Sequence, residues 1–321
     1  MGTPTIGRTG RREVVSPSSA DTAGRRRALR ARRLRRGWVA LALVVPAFAA
    51  YAVFVLRPLA LTVQYSFYDW NGVGVAEWVG AGNYTRLLDD REMVGSILNA
   101  LELIVYFSFV PVALGLFTAA TIRKMATSRL ALASRTILFL PQVIPLVAAG
   151  IMWTWLMSTD GLVNEILRAV GLGRFATAWL GDFDTALPAV GVIGAWVALG
   201  LCMLLLLAGM TKIDPALYEA ARIDGAGPVR EFFAITLPSV RQEIGVAVTV
   251  TVIAALASFD IVYISTQGGP GNSTLVPGLE IYYLAFFSRE IGQASALAVA
   301  FMILVLAIVL PIQRLTREDD R

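Results

Sequence analysis

The chain has 321 residues, 56% of them hydrophobic and only 16% charged, with a formal net charge of +5. Soluble domains carry about 25% charged residues, so the composition points to an integral membrane protein. There is no histidine, one cysteine (Cys202) and two lysines, Lys124 and Lys212, which follow Arg123 and Thr211. These counts exclude an intrachain disulfide, a His/Cys metal site, a Cys/His nucleophile pair and a Gly-Lys-Ser/Thr phosphate loop. Any ATP that drives the protein must be bound by another subunit.

The chain opens on a tail rich in Gly, Ser, Thr and Arg, read as disordered over residues 1–24. It then runs through "RRRALRARRLRR" into an apolar stretch containing "AFAA". Basic arms can bind nucleic acid, and this layout also resembles a cleavable signal peptide. The apolar stretch is longer than the usual signal core of about 7–15 residues, so the tail reads as a topogenic signal and no nucleic-acid partner is expected.

Six segments approach the roughly 20 apolar residues needed to cross about 30 Å of hydrocarbon. They cover residues 38–56, 98–122, 136–157, 186–210, 244–264 and 291–310. Glu102 in the second and Asp260 in the fifth are the only charges they contain. The N-terminal tail holds 11 Arg, the 123–135 loop four Arg or Lys, the 211–241 loop four and the C-terminal tail three, which places 22 of 28 basic residues on one side. The positive-inside rule then makes both termini and these two loops cytoplasmic. The expected organisation is a basic tail (1–36), a six-span domain (37–314) with a cytoplasmic loop at 211–241, and a short tail (315–321).

The loops on the other side are more than turns. "SFYDWNGVGVAEWVGAGNYTRLLDD" carries turn signals at Asn71-Gly72, Gly80 and Gly82, and aromatics suited to a membrane interface. "DGLVNEILRAVGLG" predicts an amphipathic helix over 160–170, with Leu162, Ile166 and Val170 on one stripe and Gly171 as its stop.

The loop between the fourth and fifth spans reads "EAARIDGAGPVREFFAITLP" over 219–238. Asp214-Pro215 is a helix start, Asp224-Gly225 a turn, and Gly227-Pro228 the start of a second helix with Val229, Phe232 and Phe233 on one face. Two arms of about nine residues, each roughly 13 Å long, are expected, with Leu237-Pro238 ending the second. Small residues beside charges suit close docking of another protein, and an amphipathic helix lying on the membrane is the alternative from spacing alone.

The pattern Glu219, Ala220, Ala221, Asp224, Gly225 and Ala226, followed by Ile235, Leu237 and Pro238, resembles the EAA loop of ATP-binding-cassette importer permeases. "FLPQVIP", "NYTRLLDD" and "TQGGPGNST" are further similar to the maltose-transporter F-type permeases of the carbohydrate subfamily, over about residues 36–314. The long N-terminal spans and large insert of the enterobacterial maltose protein are missing. The resemblance implies an all-α membrane protein of the type I importer fold with six transmembrane helices. It implies that Glu219, Ala220, Ala221, Arg222, Asp224, Gly225, Ala226, Leu237 and Pro238 form a coupling surface for a cytoplasmic ATPase. The implied partners are two ATPase subunits that bind ATP and magnesium, a second and distinct permease, and an extracytoplasmic solute-binding protein that delivers a carbohydrate-like solute. The chain itself would hold no cofactor or metal and have no catalytic residue.

Within the membrane, charge is costly and marks candidate sites. Asp260, with Ser258, Tyr263 and Trp196, offers hydrogen-bonding groups beside aromatic faces, as a sugar pathway needs; capping and interface anchoring are the structural alternatives. Gly268-Gly269-Pro270 reads as a turn shaping the outer mouth. A secondary transporter or channel leaves the EAA-like loop unexplained, and two unmatched acids support it weakly. An intramembrane aspartyl protease needs a second aspartate at depth. A membrane scaffold that merely holds an ATPase is the remaining rival.

Overall fold

A computed structural model describes residues 44–125 and 128–316. The basic tail 1–36, the first residues of the expected first span and the residues from 317 onward lie outside them. By internal contacts the chain divides after Leu61 into a short N-terminal unit and a second unit that begins at Thr62.

Helix α1 (Val44–Tyr65) runs past the expected end at 56, because the residues after Arg57-Pro58 keep an apolar helical pattern. Its π-type turn, Ala52–Leu56, ends two residues before Pro58. The same spacing recurs at Val105–Phe109 before Pro111 and at Phe232–Thr236 before Pro238. Proline has no N–H and its ring clashes with the carbonyl four residues back; a widened turn moves that carbonyl aside, so the helix continues through the proline.

The fold is helical as expected, with one small antiparallel pair in a loop, β1 (Tyr68–Asp69) and β2 (Glu77–Trp78), with Tyr68 opposite Trp78. The Asn71-Gly72 turn joins them: Asn71 Oδ1 accepts from the Val73 and Gly74 amides at 3.0 and 2.9 Å, and Gly72 has φ +92°. Helix α2 (Gly82–Asp89) follows, then α3 (Arg91–Lys124). Asp90 caps α3 by accepting from Glu92 N and Met93 N, so the second span starts earlier than hydropathy places it.

The third span is not one helix. It consists of α4 (Arg129–Val143) and α5 (Leu146–Leu156), bent by 101°. Ile144 is extended (ψ 127°), as the residue before a proline prefers, and Pro145 restarts the chain as the cap of α5. Helix α6 (Leu162–Ala169) leads by way of a short 3-10 turn to α7 (Ala186–Thr211).

The loop after α7 forms α8 (Pro215–Ile223) and α9 (Pro228–Ser239), and α9 meets α10 (Arg241–Leu256) at a 69° bend. The expected stop at Leu237-Pro238 is therefore displaced: the helix passes through Pro238 behind its π-type turn and breaks at Val240. The fifth span also differs from a single run over 244–264. It breaks at Ala257 and Ser258 and resumes as α11 (Phe259–Ser265). Helix α12 (Pro277–Tyr283) and the long α13 (Ile291–Thr316) complete the chain. Among the described residues four helices are long and apolar enough to cross a membrane, or six when each bent pair counts as one crossing.

Helix α7 organises the second unit. Its glycines let neighbours approach closely: a methyl at Gly194 would lie 2.1 Å from Phe107 Cζ, and one at Gly200 would lie 2.3 Å from the Leu138 carbonyl oxygen of α4. Small residues take this role where lipid offers helices no hydrophobic driving force to associate. Two cores result. Around the start of α7, Leu187, Val190 and Ile193 pack with Leu103, Met157, Ile261, Leu275 and Leu279. Around its end, Met203, Leu206 and Met210 pack with Ile122, Ala131, Tyr218 and Val240. The α8–α9 hairpin thus sits at one end of the bundle, and the loops that carry α6 and α12 sit at the other.

Candidate functional site

The hairpin is built by local rules. Asp214 caps α8, its carboxylate accepting from Ala216 N at 2.9 Å, and Pro215 occupies the first helical position. At the other end Gly225 takes φ +80°. The Ala226 amide donates to Ala221 O at 2.8 Å and the Gly225 amide to Arg222 O at 3.0 Å. This is the Schellman pattern, whose left-handed position favours glycine. Two of the small residues thus close the helix end, while Ala220 stays exposed.

Three side-chain contacts hold the base. Arg123, at the end of α3, lies with its guanidinium carbon 4.1 Å from the Tyr218 ring centroid and donates to the Tyr218 hydroxyl. That hydroxyl also hydrogen-bonds Thr236 Oγ1 of α9 at 2.9 Å. Arg222 Nε donates to Glu231 Oε1 at 2.8 Å, joining the two arms. The hydrogen bond and charge of Glu231 raise the Arg222 pKa further above its already high value. At the root, Lys212 pairs with Glu243 at 3.1 Å. A cavity of about 260 Å³ opens at the base between Arg123, Tyr218, Glu219, Arg222, Glu231 and Phe232.

The outer face is a mixture of charge and uncovered apolar surface. Glu219, Arg222, Asp224 and Arg230 are exposed, and among the described residues Glu219 has no ion-pair partner. Ile223 is 86% exposed, Val229 70% and Phe233 61%. Gly225 and Pro238 are also exposed, whereas Leu237 is half-buried. The sequence-predicted coupling residues are therefore brought onto one hairpin, with Leu237 and Pro238 on the far arm. Tyr218, Arg123, Thr236 and Glu231 are the residues that sequence reasoning missed. Arg123 was legible only as a topogenic charge, and Tyr218 lies 95 residues away from it.

At the opposite end the proposed pathway residues fall into two groups. Tyr263 stacks on Phe259 (5.5 Å, 10°) and meets Tyr282 edge-on (5.7 Å, 76°), with Asp260 exposed on the same short helix. Trp196 instead sits edge-on to Trp153 at 5.5 Å and is not part of that cluster. Two buried polar atoms there, Ser258 Oγ and Trp153 Nε1, have no hydrogen-bond partner among the described residues.

The loops around them are held by side chain-to-backbone bonds. Asn83 of "NYTRLLDD" donates to Ser66 O (3.0 Å) and Tyr68 O (2.9 Å). Asn99 Nδ2 donates to Leu275 O at 2.8 Å. In "TQGGPGNST", Thr274 Oγ1 donates to Gly269 O at 2.8 Å and hydrogen-bonds Thr266 Oγ1 at 2.7 Å, which agrees with the reading of this stretch as a shaped turn. "FLPQVIP" is the bend of the third span.

A bundle of broken and continuous apolar helices, with a hairpin tied at its base at one end, defines a multi-pass membrane protein. Residues 111–315 match the family described as binding-protein-dependent transport system inner membrane component. The chain belongs to that family. It is 33% identical over 267 residues to the probable ABC transporter permease protein YurN of Bacillus subtilis, covering 83% of this chain and 91% of that one. It is 33% identical to the diacetylchitobiose uptake system permease protein NgcF of Streptomyces coelicolor, covering 84% and 80% of the two chains. It is 32% identical to the lactose transport system permease protein LacF of Rhizobium radiobacter, covering 84% and 90%. Its fold is similar to a chain from a bacterial ABC transporter involved in the import of the acidic polysaccharide alginate, with TM-score 0.77, 23% identity, and 90% and 99% of the two chains covered. The protein is thus an inner-membrane permease component of a binding-protein-dependent ABC importer, a transport subunit and not an enzyme.

Proposed function

We propose that this permease forms half of the pathway for a sugar or oligosaccharide and that the α8–α9 hairpin couples it to a cytoplasmic ATPase. The observation that carries the coupling reading is the uncovered outer face: Ile223, Val229 and Phe233 are left in the open on a hairpin whose base is tied to α3. Apolar side chains ringed by charges, on a firmly held support, are the make-up of a docking site. Glu219, without an ion-pair partner among the described residues, is placed to meet a basic group of the ATPase.

Two ATPase subunits supply ATP and magnesium binding, and their closure moves this hairpin and that of a second, distinct permease. Because each hairpin has different contacts in the two states, closure shifts the spans between inward- and outward-facing forms. The hairpin end is cytoplasmic by the distribution of basic residues. A solute-binding protein delivers cargo at the other end. The sugar class is supported by the relatives named for diacetylchitobiose and lactose uptake. The ring cluster of Phe259, Tyr263 and Tyr282 and the unpartnered Ser258 hydroxyl suit a polyhydroxylated solute.

The test is substrate-stimulated ATP hydrolysis by the complex in lipid, with Glu219→Ala and Gly225→Asp variants. Lost stimulation in an assembled complex supports coupling through the hairpin, and lost assembly makes the hairpin chiefly a docking surface. Unchanged stimulation in both variants would overturn the reading in favour of a hairpin that rests on the membrane.

A further inference from the structure

Helix α6 has an apolar arc wider than the protein covers. Its inner side is fixed by a buried polar network. Asn164 Nδ2 donates to Ser158 O, Thr159 O and Thr177 O at 3.0, 3.2 and 2.8 Å, and Asn164 Oδ1 accepts from Trp179 Nε1 at 2.8 Å. Val163 packs on the adjoining core. Next around the helix, Leu162, Ile166 and Val170 form a stripe at i, i+4 and i+8 and are 53%, 53% and 64% exposed. The hydrogen bonds and core contacts already secure the helix, so this second apolar strip has no fold-related task.

Its surroundings identify what covers it. Gly161, the residue before the stripe, lies directly on the end of α5: a methyl there would be 2.5 Å from the Trp155 carbonyl oxygen and 2.4 Å from that of Leu156. The stripe therefore begins where the second half of the bent third span ends. That helix carries its own uncovered row at the same spacing, Val147, Ile151 and Trp155, with Trp155 77% exposed. Two exposed cations lie near the strip, Arg168 on the Asn164 side of the helix and Arg174 beyond its end, and the exposed Glu165 borders it. Arg168 Nη2 is anchored to Thr159 O at 2.9 Å, and the Arg174 guanidinium carbon lies 4.6 Å from the Phe175 ring centroid. An apolar strip at the end of the bent third span, with arginines and aromatic rings nearby, matches the boundary between acyl chains and phosphate headgroups.

We propose that α6 lies along the bilayer surface, with Leu162, Ile166 and Val170 in the acyl boundary and Arg168 and Arg174 at the level of the lipid phosphates. The Asn164 network sets its depth by fixing it to the end of the third span. Such a helix resists tilting of that span when the transporter changes state, and it needs only that the bundle spans a bilayer.

The test places a nitroxide label at Leu162→Cys, Ile166→Cys, Val170→Cys and Glu165→Cys in turn. Measurements are made on the chain assembled with its partner subunits in phospholipid nanodiscs. All four positions are exposed and the one native thiol, Cys202, is buried, so labelling is selective and leaves packing intact. At the three stripe positions collisions with oxygen should exceed those with a water-soluble nickel chelate severalfold, and the ratio should reverse at Glu165. Free access of the chelate to the stripe would overturn the proposal and leave a water-facing helix. Protection from both reagents would also overturn it, because a protein partner then covers the strip. Neither readout depends on ATP coupling, so failure here is distinct from failure of the hairpin reading.

Discussion

The two ends of the bundle are stabilised by different means. At the α6–α12 end, asparagine side chains reach across loops to backbone carbonyls: Asn83 to Ser66 and Tyr68, Asn99 to Leu275, Asn164 to Ser158, Thr159 and Thr177. Each satisfies backbone groups that irregular structure would otherwise leave unpaired in a poorly hydrated setting. At the hairpin end the contacts gather at the base, through Tyr218, Arg123, Thr236, Arg222 and Glu231, and the tip is left open. The proposed coupling, with the bundle held at its mouth and grasped at its tail, fits this division. Removing a loop-end contact should cost stability, whereas removing a hairpin contact should cost transmission of motion.

The largest effect on stability is expected for Asn164→Ala. It leaves the Thr177 carbonyl and the Trp179 N–H without Asn164 as their partner and takes a second donor from the Ser158 and Thr159 carbonyls, and at about 1–3 kcal/mol for a buried group left unsatisfied the total should reach about 2–4 kcal/mol. A thermal melt in detergent measures it. Tyr218→Phe keeps the ring under Arg123 but deletes the hydroxyl that joins α3 to α9. It should cost about 1 kcal/mol in the same melt, yet lower substrate-stimulated ATP hydrolysis more than Asn164→Ala does in complexes of equal folded fraction. Equal losses of stimulation would erase the distinction between the two ends.

Smaller again is Gly225→Ala, which forces an L residue to φ +80° at a cost of about 1 kcal/mol. Faster amide exchange confined to residues 220–226 is the expected signature. The smallest effect is expected at Glu280, in α12. Burial raises its pKa, helped by the negative charges of Glu92, Asp90 and Glu290. A carboxyl with a raised folded-state pKa binds its proton more tightly when folded, so stability falls as pH rises from the ordinary value of about 4.3 through the raised one. Glu280→Gln should remove that part of the pH dependence and melt slightly higher than the parent at neutral pH.

The sequence reading located the hairpin because its signals are local. Asp214-Pro215, Gly225 and Gly227-Pro228 each act within one helical turn, and all three mark real boundaries. The amphipathic helix expected over 160–170 is α6 (Leu162–Ala169) with the stripe as named, although which part of its arc the fold covers depends on the packing of distant segments. Hydropathy found the apolar runs but not their breaks. The third span contains Pro145 in plain view, yet an unbroken apolar run carries no information on direction. The break at Ala257 and Ser258 has neither glycine nor proline to announce it. Contacts such as Arg123 with Tyr218 or Asn99 with Leu275 join residues far apart in the chain and leave no local pattern.

The central claim is that the uncovered tip of the hairpin transmits ATPase closure. Ile223 is the sharpest probe, since it is almost fully exposed and supports no packing of its own. Substrate-stimulated ATP hydrolysis would be measured for Ile223→Asp in lipid-reconstituted complexes, with a melting curve of the same sample. An unchanged melt and a loss of stimulation of at least about tenfold, the factor carried by about 1.4 kcal/mol of contact free energy, are expected. Full stimulation from a folded Ile223→Asp complex would contradict the claim.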